Sequence, residues 1–216
     1  MPGLKAAILP VTPFEQNCAL LWDEEAKRAT VVDPGGDVDR IMAAVAQLGV
    51  TVERILLTHG HTDHAGGAAA LKEALGGAVE IVGPAGQDRF LLDALPEQGA
   101  RFGLDCRAVT PDRWLVEGDR VTIAGIGFDV YHCPGHTPGH VVFVAPAAGV
   151  AVVGDVLFRG SVGRTDFPYG DHDALIRSIR QKLFPLGDHI AFLCGHGPGS
   201  TFGAERRSNP FVGEGA

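Results

Sequence analysis

Cysteine, tryptophan, tyrosine and methionine are all scarce in this chain, and positive charge is in deficit. The four cysteines, Cys18, Cys106, Cys133 and Cys194, lie far apart with no CxxC spacing. This argues against a disulfide framework, and reduced, buried thiols of a cytosolic protein are the expectation. Lys and Arg number 18 against 26 Asp and Glu, for a formal net charge of −8. That balance opposes nonspecific association with nucleic acid or with an anionic membrane, since both need a basic face. No apolar run approaches the length of a membrane span. Residues 1–17, MPGLKAAILPVTPFEQN, lack a basic stretch followed by a long apolar one, so no secretory signal is expected and the location reads as cytoplasmic. Internal repeats, Pro/Ser-rich linkers and long charge runs are also missing.

What is present is ordinary globular material, 45% hydrophobic and 20% charged, with segments short enough to read one by one. Strands are expected at KAAILPV, CALLWD and RATVVD, the last two joined by the polar turn EEAK. DVDRIMAAVAQLG has helical spacing, with Asp37 as candidate N-cap and Gly49 as stop. VERILLT reads as a strand, HAGGAAALKEALGG as a helix ending at Gly76, EIVGP as a short strand and AGQDRFLLDAL as a helix. From Trp114 the pattern turns to strands, through HVVFVAP and GVAVVGD. Then DHDALIRSIRQKL is helical, HIAFLCG extended, and GAERRS a short helix. Strand-rich blocks with helices in both halves predict an α/β (α+β) fold of two sheets face to face with helices outside.

The stretch ILLTHGHTDHAGG, residues 55–67, gathers His59, His61, Asp63 and His64 at the end of an apolar run. Side chains two apart share one side of an extended segment but splay apart on a helix. His59, His61 and Asp63 are therefore expected just past a strand end, and His64 to turn inward as a helix begins. Donors at this density want a cation. Further donors are expected downstream, and three follow apolar strands beside glycine: His136 in CPGHTPGH, Asp155 in AVVGDVLF and His196 in FLCGHGPG. His132, His140, His172 and His189 lack this pattern and are read as structural or surface residues. Cys133 and Cys194 are read as core thiols.

These motifs resemble the metallo-β-lactamase superfamily. THGHTDH matches its HxHxDH signature, and PGHTPGH, GD and GH follow in its order. The resemblance implies a four-layer αββα sandwich of two mixed sheets over residues 1–216, with the site at one edge. It also implies that His59, His61 and His136 bind one metal, that Asp63, His64 and His196 bind a second, and that Asp155 bridges both. Two divalent cations, zinc before iron or manganese, could share a hydroxide for attack on a carbonyl, with Asp63 orienting it. Within the superfamily, VTPFEQNCALLWD, VVDPGG, FRGSVGRTDFPYGD and GHGPGSTFGAERRSNPFV resemble short glyoxalase II-like thioesterases. The implied reaction is hydrolysis of S-D-lactoylglutathione or a related hydroxyacyl-glutathione.

One departure concerns substrate binding. Two-domain glyoxalase II enzymes continue into a helical domain that supplies basic residues to glutathione, whereas here only residues 197–216 follow His196. Arg159, Arg164, Tyr169 and Arg206 are the nearest motif-borne candidates for that contact, a structural or solvated role being the alternative for each, and Arg164 with Asp166 could instead form an internal ion pair. The rivals are a persulfide dioxygenase with one iron, a hydrolase of another ester or lactone, and a metal-stabilised binding module. Persulfide dioxygenases share GRTDF but tend to carry HDY where this chain has His196-Gly197-Pro198, which favours the hydrolase.

Overall fold

The computed structural model describes residues 3–216. Its first half alternates strands and helices: β1 (Leu4–Val11), β2 (Gln16–Asp23), β3 (Arg28–Val32), α1 (Val38–Leu48), β4 (Thr51–Leu56), α2 (Thr62–Ala65), α3 (Ala68–Ala74), β5 (Glu80–Ala85), α4 (Arg89–Asp93), α5 (Leu95–Ala100) and β6 (Arg113–Leu115). The second half runs β7 (Arg120–Ile123), β8 (Ile126–His132), β9 (Val141–Ala145), β10 (Val150–Gly154), the small hairpin β11 (Leu157–Phe158) and β12 (Ser161–Val162), α6 (His172–Ser178), β13 (Ala191–Cys194), β14 (Ser200–Thr201) and α7 (Phe202–Ser208).

Each half builds one mixed six-stranded sheet. The first is ordered β1-β2-β3-β4-β5-β6 and the second β14-β13-β10-β9-β8-β7. Strands β3 to β6 run parallel, as do β10 and β13, so their C-terminal ends open on the same side of each sheet. Period-2 burial explains the stacking. Leu21, Val32, Leu56 and Val82 of one sheet meet Phe128, Val130, Val141 and Phe143 of the other in a shared interior. The opposite face of the first sheet packs on α1 and α3 through Ile41, Val45 and Leu71. That of the second packs on α6 and α7 through Leu175 and Phe202. Fully burying a side chain such as Phe128 or Phe143 contributes about 2–3 kcal/mol. The expected αββα sandwich is the observed one.

Three local expectations are corrected. Asp37 is not a side-chain cap: it sits at φ 49°, and its carboxylate accepts the Thr12 N–H at 2.9 Å instead. The helix expected from His64 to Gly76 is two helices, because the Gly67 N–H leaves for the Pro34 carbonyl at 2.9 Å. The segment after Gly86 likewise breaks at Ala94, and α5 starts again with Pro96 in its first turn, where proline is tolerated. The β11–β12 hairpin was not anticipated, since its strands have only two residues each.

Candidate metal centre

All seven donors singled out from the sequence come together at the C-terminal ends of the parallel strands. His59 to His64 leave β4 through a loop into α2, His136 lies in the β8–β9 connection, and Asp155 and His196 follow β10 and β13. β10 and β13 are in register at Gly154 and Cys194, and the Gly195 N–H donates to the Gly154 carbonyl at 2.9 Å, so Asp155 and His196 emerge side by side. Only glycine fits at Gly195. A Cβ there would stand 2.0 Å from Asp155 Oδ1 and 2.5 Å from His64 Cε1.

Two groups of donors result, each with its atoms within 4.8 Å of one another: His59, His61 and His136, and Asp63, His64 and His196. In the first, His61 Nδ1 is 3.1 Å from His59 Nε2 and 3.0 Å from His136 Nε2. Nitrogens about 2.0–2.1 Å from a tetrahedral ion stand roughly 3.3 Å apart, close to that spacing. In the second, His196 Nε2 is 3.2 Å and His64 Nε2 3.8 Å from Asp63 Oδ2. Asp155 lies between the groups: Oδ1 is 3.3 Å from His64 Nε2, while Oδ2 is 3.6 Å from His136 and 3.7 Å from His196.

The second nitrogen of each ring is tied to the protein. Thr58 Oγ1 accepts from His59 Nδ1 at 3.0 Å, the Arg164 carbonyl from His136 Nδ1 at 2.8 Å, and the Tyr169 hydroxyl from His61 Nε2 at 2.8 Å. Asp33 Oδ2 accepts from His64 Nδ1 at 2.9 Å and the Phe14 carbonyl from His196 Nδ1 at 3.2 Å. Each ring is thus held in the tautomer that turns a lone pair toward the cluster, the pattern by which outer groups orient metal-binding histidines. Asp33 lies within 4.8 Å of His59 and His64 but is spent: its oxygens accept the Thr58 N–H at 2.7 Å, the Thr58 hydroxyl at 2.6 Å and His64.

The electrostatics fit a cation. Burial, with repulsion from neighbouring imidazoles, holds His59 well below the usual histidine range and His61 at about 3, so their lone pairs are free. Burial works against ionising Asp63 and Asp155, yet the facing His64 holds both below the carboxylate range. His64 moves up against its own burial because Asp155 and Asp63 face it. The same two carboxylates favour positive charge at this point. His64 Nε2 and Asp155 Oδ1 are fully buried without a hydrogen-bond partner of proper geometry, a costly arrangement that a shared ion resolves.

Among the proposed substrate-binding residues, Tyr169 is next to the cluster through His61. Arg164 forms a two-pronged ion pair with Asp166 at 2.7 Å and lies over the Phe167 ring, while its backbone carbonyl holds His136. Arg206 pairs with Asp188 and Glu214, neither in the cluster. Arg159 is exposed at the tip of the β11–β12 hairpin, where neighbouring Phe158 faces the His196 ring at 6.3 Å. Of the remaining histidines, His140 is fully buried, stacks on His59 at 4.6 Å, and its Nε2 accepts the Asp155 N–H at 3.0 Å. Cys194 is a core thiol, raised to about 11 by burial. Asp33 was missed as an outer partner: it too ends an apolar strand, but its neighbours are Val32 and Pro34 rather than glycine.

Known proteins share this sequence and fold. The metallo-beta-lactamase superfamily profile matches residues 11–196. A Haemophilus influenzae protein described as hydroxyacylglutathione hydrolase GloC is 50% identical over 207 residues, covering 95% of this chain and 96% of its own. Among solved structures, BLEG-1 B3 metallo-beta-lactamase superposes with TM-score 0.87 at 34% identity, covering 96% of this chain and 99% of its own. TTHA1623 in a di-iron-bound form superposes with TM-score 0.85 at 37% identity, over 95% of this chain and 100% of its own. No helix among the described residues is long and apolar enough to cross a membrane. The chain belongs to the metallo-β-lactamase superfamily of metal-dependent hydrolases.

Proposed function

We propose that this chain hydrolyses a hydroxyacyl thioester of glutathione, S-D-lactoylglutathione being the first substrate to test, with two divalent cations held by the cluster. The observation that carries this reading is the arrangement of five histidines, each with one ring nitrogen tied to a named protein group and the other turned inward. His59, His61 and His136 hold one cation, Asp63, His64 and His196 the other, and Asp155 joins them. Zinc suits the N/O donor set, and the di-iron form of TTHA1623 supports iron as the other candidate. Divalent cations in these places supply Lewis acidity and acidify water to a pKa near 7.

The chain's own groups do the rest. Asp63, kept ionised, accepts a hydrogen bond from the attacking water and aims it. His196 is the most open member of the cluster, its side chain 32% exposed, so the substrate approaches from its side. Apolar rings flank the approach: Phe14 and Phe102 form an edge-on pair at 4.8 Å beside His196, and Phe90 meets Tyr169 at 5.3 Å beside His61. Arg159, exposed beside the Phe158 that faces His196, takes a carboxylate of the thiol moiety. The departing thiol, with a pKa of about 8.5, leaves as the anion and needs no proton donor.

Turnover of S-D-lactoylglutathione, measured beside oxygen uptake with glutathione persulfide, tests the proposal. Thioester cleavage without oxygen uptake is expected, and Arg159→Ala should raise KM about two- to fivefold with kcat unchanged, the effect of a rim charge. Oxygen uptake with no thioester cleavage overturns it.

A further inference from the structure

One buried carboxylate takes no part in this chemistry and yet reaches two of the donor loops. Asp88, just before α4, has no solvent exposure. Its Oδ2 accepts the Gly60 N–H at 2.9 Å and the Thr137 hydroxyl at 2.7 Å, and its Oδ1 accepts the Gly139 N–H at 2.6 Å. Gly60 lies between His59 and His61, and Thr137 directly follows His136. A single side chain therefore ties together the two loops that carry the all-histidine group. The backbone holds the Asp88 segment to the same loop, the Ala85 N–H donating to the Gly139 carbonyl at 3.0 Å, and one backbone bond joins the bases of the two donor loops, from the Val141 N–H to the Thr58 carbonyl at 2.8 Å. The approach is so close that a Cβ on Gly139 would stand 2.6 Å from both the Ala85 oxygen and the Asp88 nitrogen.

With both oxygens engaged, Asp88 has no place for a cation. None of its side-chain hydrogen bonds reaches Asp63, His64 or His196; His64 is held by Asp33 and His196 by the Phe14 carbonyl. We infer that Asp88 is a positioning residue for the first cation, setting the distance between the His59–His61 loop and the His136 loop. The inference rests on the two-cation reading above. Burial pushes the Asp88 carboxyl up to about 6, against three hydrogen bonds that favour its ionised form, so keeping it there costs stability. A hydrogen-bonded carboxylate gives in exchange a fixed separation at the tips of two loops whose bases share one backbone bond.

Stepwise Co(II) titration of the metal-free protein tests this, read by the ligand-field bands of each step. The all-histidine step is identified by its disappearance in His136→Ala. In Asp88→Asn, whose amide must turn its NH2 toward one of the three donors the carboxylate accepts, the dissociation constant of that step should rise about 10–100-fold. The other step should change no more than about two- to threefold. Thr137→Val removes one of the three bonds, should weaken the same step by a smaller factor, and decides the matter if Asp88→Asn does not fold. Thr137→Ser should restore it. Equal weakening of both steps, or of neither, overturns the positioning role. If the unaltered protein shows fewer than two steps, it is the two-cation reading that fails.

Discussion

Asp155→Ala should lower thioester turnover by about 10²–10⁴-fold, with roughly one cation per chain lost. The size follows from what the residue touches. Asp155 presents Oδ1 to His64 and Oδ2 to His136 and His196, so its removal takes a negative charge from between two positive centres. Losing the Lewis acidity of one cation forfeits several kcal/mol of transition-state stabilisation, and each 1.36 kcal/mol is a factor of ten in rate. The backbone has little reason to move, because the Asp155 N–H is still held by His140 and Gly195 remains bonded to Gly154. Elemental analysis and single-turnover kinetics on the same sample check both parts. Full rate with both cations retained would show that Asp155 does not join them.

Asp33→Ala should act through both stability and metal affinity. The substitution strands three buried donors at once: the Thr58 N–H, the Thr58 hydroxyl and His64 Nδ1. An unpaired buried donor costs about 1–3 kcal/mol, and partial relaxation leaves a total of about 3–5 kcal/mol, a large share of a typical 5–15 kcal/mol. For a chain of this size that corresponds to a Tm lower by roughly 6–20 °C. His64 loses its tautomer lock directly and His59 through Thr58, so metal affinity should fall about 10–100-fold. Calorimetry of the metal-free protein separates the folding effect from the binding effect. An unchanged Tm together with unchanged affinity would remove Asp33 from the account.

The difference in legibility between Asp155 and Asp33 has a physical origin. The seven candidate donors are visible in the chain because His136, Asp155 and His196 each stand where an apolar strand ends beside glycine, and the other four sit within six residues. The sandwich is visible for a similar reason, since strand and helix periods alternate cleanly along most of the chain. The outer groups carry no such local mark. Asp33 reaches Thr58 25 residues away, and Asp88 reaches Gly139 51 residues away, so their partners exist only once the sheets have stacked. His140 shows the same limit: nothing near it in sequence announces that its ring will hold the Asp155 backbone. The break between α2 and α3 is not legible because it depends on a long-range bond, Gly67 to Pro34, overriding a good helical pattern.

The central claim is that loops from both sheets converge on a pair of cations. Elemental analysis of protein purified from balanced medium, paired with turnover as metal is added back stepwise to the stripped chain, addresses it most directly. About two divalent ions per chain are predicted, with full thioester turnover reached only when both are present. A single, fully coordinated ion with no turnover would contradict it and point to a structural metal.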